Sequence, residues 1–291
     1  MLGRISKRVL GSSMIRGANT LQWRAASMQV NSFRSFPSTS PFTMNSMSRN
    51  FSSEATVVEE GTQPSLEWRA FFEANGKRIS PWHDISLKGE SGHFNYVNEI
   101  NIGQRAKMEV TLDEPGNPIK QDVKKGALRF FTYGDSPFNY GCIPQTWENP
   151  HAIHEGTGLK GDGDPVDVVE ISQEPLGLGT VAEIKLLGVM ALIDEGETDW
   201  KVLGIAKSNP LFDKINNEAD IERELPGLVA TVRDWFKMYK TTDGKPENEF
   251  AFDGAVKDVA YTLEVVDECH ESYNDLVQGK NAEADKDLVL N

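Results

Sequence analysis

Cysteine is nearly missing from this chain: Cys142 and Cys269 are the only two in 291 residues. Two are too few for a disulfide framework, and both are expected as free thiols. Long apolar runs are missing as well. No stretch approaches the roughly 20 residues that cross a bilayer as a helix, so no membrane partner is expected. Histidine is sparse, with five in all. His151 and His154 lie close together, but no cysteine or third histidine accompanies them, which leaves a zinc site short of ligands. The sharpest absence is local: residues 1–53 hold no Asp or Glu, yet carry Arg4, Lys7, Arg8, Arg16, Arg24, Arg34 and Arg49.

An acid-free segment rich in Arg and Ser, without a long apolar centre, has the composition of an organelle transit peptide and not of a secretory signal. Arg34-Ser35-Phe36 and Arg49-Asn50-Phe51-Ser52-Ser53 both look like processing sites of mitochondrial presequences. The expectation is a mitochondrial matrix address, with a chloroplast address as the competing one and a plain basic tail as the alternative to both. Residues 1–53 are therefore set apart as a disordered leader. Residues 54–291 are expected to form a single catalytic domain, with a mobile tail after about residue 279. That body keeps 23 basic residues against 44 acidic ones, a charge of −21. It would repel nucleic acid and anionic membranes unless positive charge is gathered locally.

What the body does have is alternation. Phe94 to Ile100 reads as a strand. In 106–112, Met108, Val110 and Leu112 share one face, while Lys107, Glu109 and Thr111 share the other. Leu128 to Thr132 is a further strand candidate. Val181 to Ile193 is a long apolar one, which breaks at the acidic residues 194–199 and resumes as Trp200 to Ile205, a hairpin pattern. Helices come late. One is expected with Pro226 as its first residue and Leu228, Val232, Trp235, Phe236 and Tyr239 on its apolar face; another is expected over 262–278. Many short strands with few helices predict a mainly β chain with flanking helices (α+β), a β-barrel core with helices packed outside.

The chemistry is concentrated in Gly161-Asp162-Gly163-Asp164-Pro165-Val166-Asp167, which runs straight into an apolar β-type segment. Three carboxylates held about 6 Å apart at an effective dielectric near 20 would repel by roughly 3 kcal/mol per pair. That is about 8 kcal/mol in all, a large fraction of a domain's stability. Kept partly dry, the acids need a cation. Oxygen-only ligands at this density suit a hard one, Mg²⁺ or Mn²⁺. An EF-hand loop would want Gly at its sixth position and Glu at its twelfth, where this chain has Asp167 and Gln173. In an extended chain Asp162 and Asp164 point the same way, and Asp167 joins them only across a kink, for which Pro165 is the reason. Asp199 and Lys201 share strand parity, placing an acid beside an amine. Acids for metal, alternating along the chain with single Lys, Arg and Tyr positions, are what a polyanionic phosphate substrate needs.

These residues resemble the soluble family I inorganic pyrophosphatases. Pro81-Trp82-His83-Asp84-Ile85, Asn139-Tyr140-Gly141, Pro144-Gln145-Thr146-Trp147-Glu148, Asp194 through Lys201 and Gly244-Lys245-Pro246-Glu247-Asn248 extend the likeness to the larger eukaryotic branch, over roughly 65–275. The resemblance implies an OB-like five-stranded barrel, a homodimer, and Mg²⁺-dependent hydrolysis of pyrophosphate to two phosphates. It implies that Asp162, Asp167 and Asp199 hold the tight metal pair and its attacking water, and that Asp164 accepts the proton from that water. Glu109 and Asp194 resemble ligands of further metals arriving with substrate, and Glu99 an acid behind them. Lys107, Arg129, Tyr140, Lys201, Tyr239 and Lys240 resemble the phosphate-binding groups, with Arg129 and Lys201 neutralising the electrophilic and leaving phosphates. One departure stands out: relatives carry a second tyrosine before the Asn-Tyr-Gly element, where the shorter loop 133–138 has Ser136.

Two rival classes remain in view. A catalytically silent phosphate- or metal-binding relative with a scaffold role would usually have lost Asp164 or Asp167, and both are present. A nucleic-acid-binding OB protein needs a basic groove with stacking aromatics, against which the acidic body argues.

Overall fold

The computed structural model describes residues 54–280 and 287–290. Residues 1–53, the expected leader with its expected processing sites, lie outside the described residues. Five strands pair in a closed order. Phe94–Ile100 pairs with Asn139–Cys142, which pairs with Asp167–Glu170, which runs parallel to Glu197–Ala206. That strand forms a hairpin with Val181–Asp194, which returns to Phe94–Ile100. The mainly β expectation with an OB-like core is met by this five-membered ring. A second sheet, in the order Thr56–Glu60, Arg69–Ala74, Ile119–Gln121 and Met108–Val110, leaves Met108–Val110 as its outer strand.

The ring strands bury both faces, which is why Val181–Asp194 reads as a continuous apolar run. Val168, Val189, Trp200 and Val202 pack with Val265, Val266 and Cys269 of the last helix. The alternate residues Val169, Met190, Leu192 and Leu203 join Trp68, Phe72 and Trp82, and Val232, Trp235 and Phe236 of the preceding helix. Both cysteines are buried and free.

Several boundaries differ from expectation. The hairpin loop is only Glu195-Gly196, both at positive φ (52° and 96°), a two-residue turn whose twist suits a hairpin. The strands therefore run through the charged residues, pairing Asp194 with Glu197 and Leu192 with Asp199. Pro226 does not begin its helix. Gly227, at φ 80°, caps it, and the helix is Leu228–Met238. A short helix, Glu218–Glu224, precedes it, capped by the Asn217 side chain, and had no expectation. The last helix, Val259–Val277, is capped by Asp258. The 128–132 strand shrinks to Ala127–Leu128, with a single bridge from Phe130 to Ala106; Phe130 is 45% exposed and has no second sheet to pack on. The tail is expected to be mobile, yet its described part, 287–290, is docked: Val289 N–H donates to the Leu112 carbonyl at 2.8 Å.

One glycine sets how closely two of the ring strands approach. A Cβ on Gly141 would run into the Val97 carbonyl oxygen, so the strands meet closely there. Beside that approach the register shifts between Asn98 and Ile100, a bulge at Glu99 that re-aims its side chain.

Candidate active site

The turn that carries the acids is not extended. Gly163 sits at φ 91° and folds the chain back, so that Asp164 N–H donates to Asp162 Oδ1 at 3.0 Å. A turn, and not the shared strand face expected from parity, therefore brings Asp162 and Asp164 together. Two backbone bonds dock this turn on Glu148: Glu148 N–H to the Asp164 carbonyl and Gly163 N–H to the Glu148 carbonyl, each 2.8 Å. Gly161 is needed for that docking, because a Cβ there would meet the Glu148 backbone. Asp167 then opens a ring strand, directly opposite Lys201.

A cavity of about 520 Å³ is lined by Glu99, Lys107, Glu109, Tyr140, Asp162, Asp164 and Asp167, among others. Against its wall the Lys201 ammonium reaches Asp167 Oδ2 at 2.5 Å, Asp199, and the Tyr140 hydroxyl at 2.9 Å. Tyr140 O–H also donates to Asp167. Asp199 and Lys201 share strand parity and do meet, while Asp167 comes to them from a neighbouring strand. On the opposite wall Lys107 pairs with Glu109 and lies 3.4 Å from Asp122. Asp122 is bonded in turn by Arg129 at 2.7 Å. Asp194 is held by Lys240 at 2.6 Å and by the Tyr239 hydroxyl at 3.3 Å. Tyr239 shares a small aromatic cavity of about 20 Å³ with Lys107, Tyr140 and Ser136, which ties this cluster to the rest.

Ligand oxygens of Glu148, Asp162 and Asp199 all lie within 4.8 Å of one another. No histidine joins them. The all-carboxylate donor set fits a hard divalent cation and not zinc. Glu148 had no assigned role in the sequence reading. Its carboxylate is 2% exposed and accepts the Trp200 N–H at 3.2 Å, a contact made across 52 positions that no local pattern announces. Asp122 was also missed, although the Lys125-Gly126 turn puts it opposite Arg129, whose N–H donates to the Asp122 carbonyl at 2.7 Å.

Burial without enough positive charge pushes these acids upward. Desolvation, followed by Asp199, Asp164 and Asp167, holds the Asp162 carboxyl well above its ordinary range. Glu148 is raised in the same way, and so is Glu99, by burial and then by Asp167. Asp199 is pushed up to about 7 by burial, against the pull of Lys201. Asp164 is pushed up to about 6, by burial and then by Glu109. The Lys107 and Lys201 ammonium groups are raised as well: burial alone would lower them, but the carboxylates of Glu109 and Asp122, and of Asp167 and Asp199, outweigh it and keep both charged.

The sequence profile of the inorganic pyrophosphatases matches residues 96–274. The chain belongs to the inorganic pyrophosphatase family. It is 48% identical over 237 residues to an inorganic pyrophosphatase of Kluyveromyces lactis, covering 79% of this chain and 83% of that protein. It is 45% identical over 231 residues to the chloroplastic soluble inorganic pyrophosphatase 1 of Chlamydomonas reinhardtii, covering 79% of this chain and 82% of that one. A solved vacuolar soluble pyrophosphatase of Trypanosoma cruzi, truncated at its N-terminal domain and in complex with PPi, superposes with a TM-score of 0.74 at 35% identity. It covers 86% of this chain and 100% of that one. The likeness therefore spans the ring, the acid turn and both walls of the cavity.

Proposed function

We infer that this chain hydrolyses inorganic pyrophosphate to two orthophosphates, with Asp164 as general base. The observation that carries the reading is the cavity itself. An acid titrating near 6 faces a packed carboxylate cluster, and Lys107, Tyr140 and Lys201 stand around it on the family's fold. A pyrophosphatase with bound PPi among the similar structures supports the same substrate.

Magnesium, with manganese as a substitute, is proposed as the cofactor. Held by Asp162, Asp167 and Asp199, with Glu109 and Asp194 for the ions that come with substrate, it would activate water and neutralise phosphate oxygens. Glu148 adds a fourth carboxylate to the first set, and Glu99 is an acid behind it. The chain's own part is then acid–base and electrostatic. Asp164 Oδ takes the proton of the attacking water; at an ordinary cytosolic or matrix pH it is mostly ionised and still basic enough to do so. Lys201, anchored by Asp167 and Asp199, and Arg129, oriented by Asp122, face the two phosphates with fixed positive charge. Lys107, Tyr140, Tyr239 and Lys240 hold the remaining oxygens. Asp164 and Asp167, one of which a silent relative would usually have lost, are both present.

The reading extends to assembly and address. A homodimer is proposed on family grounds. Residues 1–53 are proposed as a mitochondrial presequence ahead of a catalytic domain 54–291, supported by their acid-free composition; the chloroplastic relative keeps the plastid as the alternative. Among the described residues no helix is long and apolar enough to cross a membrane. The deciding experiment is phosphate release from pyrophosphate with Mg²⁺, comparing the intact chain with Asp164→Asn. A loss of about a hundredfold or more is expected, the scale of a general base; an intact chain that releases no phosphate would end the enzyme reading.

A further inference from the structure

The outer strand Met108–Val110 bears Glu109, follows Lys107, and is paired on one side only, with Ile119–Gln121. Thr111 N–H continues that pairing to the Pro118 carbonyl. Polar groups on alternate residues point the other way, toward an open edge. There Val110 N–H is taken by Glu99 Oε1 at 2.7 Å. Two residues past the strand's end, the Leu112 carbonyl accepts Val289 N–H at 2.8 Å. The segment 287–290 is therefore hydrogen-bonded to the chain just past the strand that supplies one wall of the reaction cavity.

This docking is built. His83 Nε2 lies 3.0 Å from the Val289 carbonyl and Nδ1 lies 2.7 Å from the Tyr273 hydroxyl. A carbonyl can only accept, so Nε2 carries the proton, and Nδ1 receives the Tyr273 O–H. One imidazole thus links the segment to the last helix. Trp82 packs beside it, its ring 4.4 Å from that of His83 and 5.5 Å from that of Tyr273. Leu288 packs against the main core and lines the cavity together with Val110, Leu112 and Trp147. Leu290, by contrast, is 38% exposed.

We propose that Leu288 and Val289 form a positioning strap for the reaction: Val289 pins the chain just past Met108–Val110 so that Glu109 and Lys107 keep their place, and Leu288 closes the apolar rim of the cavity. The proposal rests on the reading of that cavity as the pyrophosphate site. A strap of this kind acts on substrate and cation binding more than on the proton transfer at Asp164, which belongs to the acid turn on the ring side.

The test compares the intact chain with Val289→Pro, which removes the donated N–H, with a chain ending at Lys286, and with Leu290→Ala as a control on an exposed neighbour. Each is assayed for kcat, KM for pyrophosphate, the Mg²⁺ concentration giving half-maximal rate, and thermal midpoint. For Val289→Pro and the shortened chain, KM or the Mg²⁺ midpoint should rise by roughly five- to tenfold, the effect of a small misplacement of binding groups. kcat should change by less, and Leu290→Ala should match the intact chain. If the shortened chain does not fold, Val289→Pro decides. Unchanged KM and Mg²⁺ midpoint in Val289→Pro overturn the strap, whatever happens to its thermal midpoint. An inactive intact chain would instead reject the function on which the strap rests.

Discussion

Stripping divalent cations from the folded protein should make it gain stability as the solution is acidified from pH 8 to pH 6.5, the reverse of what ion-paired carboxylates do. Ligand oxygens of Glu148, Asp162 and Asp199 within 4.8 Å of one another repel by about 3 kcal/mol per pair at an effective dielectric near 20. The folded state answers by holding protons. Asp199 titrates at about 7, against roughly 4 in the unfolded chain. A group whose folded pKa is raised in this way binds more protons folded than unfolded. Its cost is absent below the unfolded value and grows to about 4 kcal/mol once the pH has passed the folded one. Between pH 8 and 6.5 Asp199 alone recovers about 0.8 kcal/mol, which is roughly 2–3 °C for a domain of this size. His83, whose pKa burial lowers, opposes this only at the acid end of the window, where the unfolded imidazole begins to take a proton, and by less than the carboxylates return. At pH 8, Mg²⁺ at about a hundred times its dissociation constant should add close to 3 kcal/mol, some 5–10 °C, and should flatten the pH trend because cation and proton compete for the same oxygens. Scanning calorimetry on chelator-treated protein, with and without Mg²⁺ at both pH values, measures all four midpoints. A metal-free midpoint that is level or falls on acidification would refute the reasoning.

Asp122→Asn should leave Arg129 and Lys107 charged but unaligned, raising KM for pyrophosphate by roughly tenfold with a smaller change in kcat; steady-state kinetics check it. Gly161→Ala should push the acid turn off the Glu148 backbone and weaken Mg²⁺ activation, read as the cation concentration for half-maximal rate. Gly141→Ala should prevent the close approach to Val97 and cost about 3 kcal/mol or more, visible as loss of soluble protein or a sharply lower thermal midpoint. Residues 1–53 fused to a fluorescent reporter should send it to mitochondria; a cytosolic reporter rejects the presequence and a plastid one exchanges the address.

Where chemistry follows local geometry, the sequence is a good guide. Asp199 and Lys201 are two apart on one strand, and their side chains meet. Met108 and Val110 are buried while Glu109 is half-buried between them. Parity fails at Asp162 and Asp164 because Gly163 takes a left-handed conformation, and nothing in the residue string says which of several glycines will do so. Glu148 was invisible for a different reason. It is tied to Trp200 and to the acid turn through backbone groups, and backbone partners leave no mark on residue type. Residues 287–290 look like a loose tail in the sequence because charge and position at a chain end are the same whether a segment is free or held by one imidazole. The helix start shows the same limit: Pro226 is a good first residue, but Gly227 at φ 80° takes the boundary instead.

The closed ring has a kinetic meaning for the two walls of the cavity. Asp167, Asp199, Lys201 and Tyr140 stand on strands with neighbours on both sides, so their amides open only when the barrel itself comes apart. Glu109 and Lys107 sit on or beside an outer strand with a strand partner on one side only, its other side held by single bonds from Glu99 and Val289. Hydrogen exchange should therefore separate the walls, slow on the ring and fast at 107–110. The part of the pocket that must release two product ions after every turnover is thus the part the fold allows to breathe, while the acids that must not scatter are kept in the part that cannot.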